Sequence, residues 1–232
     1  MTEPARLFGV FYEPGKVFAD VAEKPRWGIA PILVSMLVGL ALVYTISTRI
    51  GWETTIRQTI ANNPRTAELP ADQREKAIAT GVKIASIAGW IGAALGAPFG
   101  VLIIAGVLTG LFNGLLGTEL KFAQTFAITA YALIVRALLS GLLILLAYLK
   151  PPEEFNIQVS PFSPAAYMNR LESPKWLMSL AGSLDLFTLW SIVLLAIGFS
   201  VAARKLSFTK ALTAIGIPWL LWVVGMMALQ SF

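Results

Sequence analysis

Residues Ile84–Phe112 read IASIAGWIGAALGAPFGVLIIAGVLTGLF, 29 positions (84 to 112) without a charge. At 1.5 Å per helical residue this run reaches about 44 Å, more than the ~30 Å hydrocarbon core of a bilayer needs, so it must tilt or bend. Pro98, between Gly96 and Gly100, is where a bend is expected. One comparable run precedes it, Gly28–Thr48, and three follow: Phe122–Leu149, Leu186–Ala203 and Ala211–Leu229. Arg136 is the only charged residue in the five. Inside lipid every backbone amide must be bonded within the protein, which leaves helices or closed barrels. Runs this continuous lack the alternation of barrel strands, so they are helices. The sequence predicts an all-α polytopic bundle of five transmembrane helices. Residues 1–27 form a cytoplasmic amphipathic segment and residues 28–232 the membrane domain.

Composition agrees. Hydrophobic residues make up 56% of the chain and charged ones 13%, a membrane balance. The net charge of +5 calls for no nucleic acid, because the basic residues sit mostly in the connections, where they orient a membrane protein. Cysteine and histidine are both absent. This removes thiol nucleophiles and disulfides, the commonest metal ligand and the commonest general base. No metal site, cofactor or enzymatic activity is expected. Met1–Trp27 carries mixed charge and the run behind it is too long for a cleavable signal, so the first span is a retained anchor.

The connections have structure of their own. After Pro14, Val17, Phe18 and Val21 share one helical face and Lys16, Asp20 and Glu23 the other, up to Pro25 and the interfacial Trp27. This predicts a short amphipathic helix, lying on the membrane surface or packed on its own bundle. Trp52–Ala61 reads as the first helix running on beyond the membrane to Asn62-Asn63-Pro64. Asp72–Lys83 reads as an early start of the second, with Asp72 and Glu75 in capping-box spacing. Leu115–Lys121 is a tight turn around Gly117. Between the third and fourth spans, Ser163-Pro164 and Ser173-Pro174 predict two short helices, Pro164–Leu171 and Pro174–Leu180.

Two features inside the spans carry function-bearing expectations. Glycines recur every fourth residue at Gly92, Gly96 and Gly100, then at Gly106, Gly110 and Gly114, which lets another helix approach closely; Pro98, inside the first ladder, is a packing kink or a hinge. Arg136 stands near the middle of the third span, about 14 residues or ~20 Å from either end by helix rise. No acidic residue matches its depth, so its expected partners are carbonyls near Pro98 or the hydroxyls of Thr109 and Ser140. Snorkelling to an interface is the competing reading.

Several tracts together resemble the Yip family of Ypt/Rab-interacting membrane proteins, specifically its bacterial branch. They are Phe18–Trp27, Gly96–Gly100, Gly117–Gln124, Thr129-Ala130-Tyr131-Ala132-Leu133, Asp185–Trp190 with Gly198, and Lys210–Leu220. Tyr131, Asp185, Phe187 and Trp190 are the motif residues carried over. Where the family often has a proline after the Tyr-Ala pair, this chain has Ile134-Val135-Arg136. The resemblance implies five spans, a cytoplasmic N-terminus and no catalysis. Eukaryotic relatives serve vesicle traffic through small GTPases, a role that does not transfer to a bacterium.

Charge counts of eight basic residues on the N-terminal side and nine on the other leave orientation open, but the short loop Arg204–Lys210 favours the N-terminus inside. The expected protein is therefore a multi-pass component of the bacterial inner membrane, with its C-terminus periplasmic. It is a scaffold or accessory protein that binds membrane lipids and another membrane protein, an ABC-type efflux system or a second copy of itself. The alternative is a transporter or channel for a small solute, ion or lipid, acting beside Arg136 and the Pro98 bend.

Overall fold

A computed structural model describes residues 1–61, 66, 69–169, 172–203 and 206–231, with side chains through Leu229. The expected helix end at Asn62-Asn63-Pro64, the Arg204-Lys205 pair and the Arg170-Leu171 end of an expected helix lie outside the described residues. Among the described residues the regular structure is helical throughout. The helices are α1 Glu3–Gly9, α2 Pro14–Glu23, α3 Ile29–Thr45, α4 Trp52–Ala61, α5 Ala71–Leu116, α6 Phe122–Leu133, α7 Val135–Leu149, α8 Lys175–Ser183, α9 Leu186–Ala202 and α10 Phe208–Ser231.

Four described segments are long and apolar enough to cross a membrane: Arg26–Ile50, Ala71–Leu115, Phe122–Leu149 and Phe208–Leu229. A fifth exists only if α8 and α9, which meet at 49°, count as one bent span. The 17 residues of α9 fall where the fourth span was expected, over 186–203, and reach about 26 Å by helix rise, a little less than the core thickness.

The second span is one helix of 46 residues, about 69 Å by rise, and it runs through Pro98 without a break in its assignment. Its N-terminal third pairs with α4 as a helical hairpin. Arg57 holds Glu75 through two bonds of 2.8 and 3.0 Å and Glu53 through one of 2.9 Å. A Cβ at Gly89 would lie 2.6 Å from the Trp52 ring, so glycine there seats the tryptophan. Two local expectations are corrected here. The first helix does not continue into α4: a π-helical turn, Ile46–Ile50, and Gly51 at φ +88° end it, and α4 starts afresh. No capping box forms at Asp72, because Pro70 occupies the N-cap and the Glu75 carboxylate is spent on Arg57.

At the other end of α5, Gly117 at φ +62° turns the chain, and Asn113 clamps the turn. Its Oδ1 accepts from Leu120 N at 3.0 Å and Thr118 Oγ1 at 2.7 Å, while its Nδ2 donates to Leu120 O at 2.9 Å. The third span is interrupted once, at Ile134 between α6 and α7, where Ala137 N turns back to Ile134 O at 2.9 Å. The interruption falls in the tract that stands in place of the family's proline. Of the two short helices expected in the following connection, the first is a 3-10 turn, Pro164–Tyr167, and the second is α8, which begins at Lys175 with Pro174 in the N-cap.

The core sits where α2, α5, α6 and α9 meet, around Phe18, Phe112, Ile128, Tyr131, Leu194 and Phe199, all at most 1% exposed. Phe112 and Phe199 stack with centroids 4.2 Å apart. Of the two placements expected for the apolar face of α2, the structure takes packing on its own bundle: Val17, Phe18 and Val21 are 0% exposed, packed on α9 and α6. Burying three such side chains stabilises the docked tail by roughly 5–8 kcal/mol before ordering entropy is subtracted.

Candidate functional site

Two polar constellations stand out, one closed and one open. The closed one fastens the tail to the bundle. Arg6 on α1 is 0% exposed, yet its guanidinium has full company. Its Nε donates to Asp20 Oδ2 at 2.7 Å, one terminal nitrogen donates to Asp20 O at 3.3 Å, and the other lies 3.4 Å from Glu3 Oε1. Glu3 is gripped in turn by Arg26 at 2.9 Å and by the Tyr131 hydroxyl, which donates to its Oε2. Asp20 also takes the amino group of Met1 at 2.8 Å. A buried guanidinium survives only when its donors are satisfied, and here the backbone and two carboxylates do so.

Electrostatics follow from this geometry. Burial would raise the Glu3 carboxyl, but the Tyr131 hydroxyl, Arg26 and Arg6 together hold it below the usual glutamate value. The Met1 amino group, and then Arg6, hold Asp20 below the usual aspartate value against a smaller opposing effect of burial. Further fastening comes from Gln124, whose side chain accepts from Lys121 N at 2.9 Å and donates to Ala22 O at 2.8 Å.

The joint between tail and first span is tight. Arg26, Trp27 and Gly28 take φ of +42°, +53° and +55° in succession, a left-handed turn that costs the two non-glycine residues about 1–2 kcal/mol each. Only glycine fits at 28, since a Cβ there would lie 2.6 Å from Ala130 Cβ. Trp27 stays 54% exposed beside Phe126 and Phe122, with centroids 6.2 and 6.4 Å away, as suits an interfacial aromatic.

The open constellation surrounds Arg136. A cleft of about 380 Å³ lies between the Pro31–Gly39 part of α3, the middle of α5 and the α6–α7 joint. Arg136 and Ser140 line it on one side, Ser35 on another, and Gly92, Gly96 and Gly100 on the third. The Arg136 residue is exposed, and its guanidinium has no hydrogen-bond or ion-pair partner among the described residues. Ser140 Oγ donates at 3.1 Å to the carbonyl of Arg136, one turn back on the same helix, and not to any group across the cleft. Thr109 does not belong to this site: its hydroxyl bonds Ala105 O and the Thr125 hydroxyl, both at 2.6 Å, on the other side of α5. A cation left so in a span costs ~2.5–3.5 kcal/mol on insertion scales unless something meets it.

The glycine ladders do not form the packing seam expected of them. A Cβ at Gly92, Gly96, Gly100, Gly106, Gly110 or Gly114 would meet nothing within 4 Å. The first three face the cleft, and the last three are exposed on the outer surface of α5. Close approach happens elsewhere. A Cβ at Gly198 would fall 2.4 Å from Ile128 Cγ2 and 3.1 Å from the Phe18 ring, which locks α9, α6 and α2 together. At Gly39 the backbone of Ala93 comes within 3.6 Å of a Cβ position.

The family-motif residues divide between packing and capping. Asp185 caps α9, its Oδ1 accepting from Phe187 N at 2.9 Å and Thr188 N at 3.1 Å, while Oδ2 is buried with no partner among the described residues. Phe187 meets Phe162 edge-on at 5.1 Å, and Trp190 meets Phe11 of the tail at 5.7 Å. Glu3, Arg6 and Asp20 carried no signal as a site in the sequence. Their only trace was indirect, since Asp20 and Tyr131 sit in two motif tracts that this network joins.

The Yip1 domain matches residues 8–229. Membrane protein YknW of Bacillus subtilis is 26% identical over 221 residues, which span 93% of this chain and 87% of that protein. No solved structure matches the chain significantly. With nearly its whole length inside the domain, this multi-pass helical membrane protein belongs to the Yip1 family.

Proposed function

We propose that the protein is a non-enzymatic scaffold or accessory subunit of the bacterial inner membrane, which binds and modulates another membrane protein. Its N-terminal helices face the cytoplasm and its C-terminus the periplasm. The observation that carries the reading is a contrast. Every charge of α1 and α2 that reaches the interior is paired there, while the long α5 leaves its small-residue faces and the Arg136 cleft uncovered within the membrane-spanning part. A chain that binds nothing gains little from an uncovered membrane face carrying a cation. The family resemblance offers an ABC-type efflux system as one partner class.

Mild-detergent purification from native membranes tests the reading. A stoichiometric membrane protein retained with the chain supports it, and a chain that purifies alone under several detergents refutes it. A transport role is the second reading, favoured by the ~380 Å³ volume beside Arg136, which falls within the range of small-ligand sites. Solute or lipid flux in vesicles holding the purified protein alone separates the two.

A further inference from the structure

Depth along the third span looks different once the helices are assembled. From the ends of Phe122–Leu149, Arg136 sits mid-membrane; against the first span it does not. Gly28, next to the interfacial Trp27, packs on Ala130. Arg136 lies six residues farther on (130 to 136), roughly 9 Å by helix rise. Side chains on a helix lean toward its N-terminus, so the guanidinium is directed back toward the Trp27 level, along the cleft walls at Ala130 and Pro31. A long arginine stem covers much of that distance. With Trp27 taken as the interface, lipid phosphate comes within reach of the Arg136 head group at the mouth of the cleft, and the floor, Gly92 to Gly100, faces acyl chains.

We propose that this cleft is a binding site for one anionic phospholipid of the leaflet on the Trp27 side, its phosphate met by Arg136 and one acyl chain laid along Gly92, Gly96 and Gly100. Three observations on the molecule select this occupant. The guanidinium is unpaired and exposed, and anionic lipid is the anion always present at that depth. The floor carries no side chain at Gly92, Gly96 and Gly100, where a Cβ would meet nothing within 4 Å, so an apolar chain can lie along it. No acidic side chain lines the cleft, so a counter-charge for the guanidinium must come from outside it. The inference does not depend on the accessory reading, and its test needs no partner protein.

The test uses the full-length protein in nanodiscs of phosphatidylcholine with graded phosphatidylglycerol, reading lipid retained after transfer to detergent by native mass spectrometry. Wild type is expected to keep one phosphatidylglycerol in preference to phosphatidylcholine by about fivefold or more, the ratio one arginine gives against an anionic lipid. Arg136→Leu removes the preference, Arg136→Lys keeps part of it, and Gly96→Leu, which fills the floor without touching the charge, removes retention. Arg49→Leu, at the far end of the first span, leaves both unchanged. Equal retention in wild type and Arg136→Leu overturns the proposal, as does undiminished retention in Gly96→Leu. Displacement of the lipid by millimolar inorganic phosphate overturns it too, since the site then belongs to a soluble anion.

Discussion

Replacing Arg6 by methionine keeps the apolar stem and deletes the guanidinium at the centre of the tail network. Removing one partner of a fully buried ion pair costs ~3–5 kcal/mol. Here the carboxylates left behind are better placed, because Asp20 and Glu3 keep 21% and 31% of their side-chain exposure. Each also retains another cation, the Met1 amino group at 2.8 Å and Arg26 at 2.9 Å. The expected loss is therefore about 2 kcal/mol, which raises the undocked population of the tail roughly 30-fold. Trypsin cleavage after Lys16, an exposed residue of α2, reads that population when opening and closing are faster than cutting. Cleavage in detergent should accelerate by about the same factor, and Arg6→Met combined with Asp20→Asn should cost less than the sum of the single changes. A cleavage rate equal to wild type would show that burial of Val17, Phe18 and Val21 holds the tail unaided and that the ion network adds nothing.

The other predictions concern packing and pH. Gly198→Ala should destabilise the bundle by ~1–3 kcal/mol in a detergent melt, since Ile128 and Phe18 are wholly buried and have nowhere to move. Gly110→Leu, at an open position, should melt with wild type; a large loss there would restore the seam that the structure removes. Gly28→Ala combines a left-handed backbone with a 2.6 Å contact, so it should shift the Trp27 emission as the joint to the first span opens. Glu3 and Asp20 both have lowered values in the folded state, so their contribution is present above the ordinary carboxylate range and is lost on acidification. Tryptic cleavage after trapping the tail at each pH should stay flat from neutrality down to about pH 5 and rise below about pH 4; a rise near pH 6 to 7 would contradict this sign.

The spans were legible because a bilayer imposes one rule on every helix crossing it, and long uncharged runs obey that rule without reference to neighbours. What a helix face meets is another matter. Four-residue glycine spacing describes both a packed seam and an uncovered groove, and only assembly told Gly198, buried against two chains, from Gly110, which faces outward. The bend between α8 and α9 was hidden for a similar reason: the short helix expected over Pro174–Leu180 read as part of a polar connection, while in the structure it packs along α10 and leads into α9. Arg136 was visible as an anomaly, but the cleft that leaves its guanidinium exposed and unpaired among the described residues was not, because three separate spans line it. The Arg6 network was the least legible, since Glu3, Arg6, Asp20 and Tyr131 are separated by up to 128 positions and share no periodicity.

The two arginines invert what their sequence contexts suggest, and the inversion bears on how the domain works. Arg6 lies in a polar tail and is the largest fully buried side chain; Arg136 lies in an apolar span and is exposed. Buried ion networks are poor sources of stability but fix one arrangement among several, because a misplaced partner leaves a charge stranded. The tail network does this for α1 and α2, setting Phe18 against Gly198 and Phe11 against Trp190. The Yip1 match begins at residue 8, so Asp20 and Tyr131 fall within it while Glu3 and Arg6, which bridge them, fall before it. Removing residues 2–7 should therefore leave the spans able to insert, yet take Arg6 from Asp20 and free Tyr131 at the centre of the matched domain. A variant lacking residues 2–7 should accumulate in the membrane at near wild-type levels, with α2 protease-sensitive and Trp190 fluorescence altered by loss of order at Phe11. If that variant kept a resistant α2 and an unchanged Trp190 signal, docking would belong to the matched domain alone and the buried arginine would be dispensable.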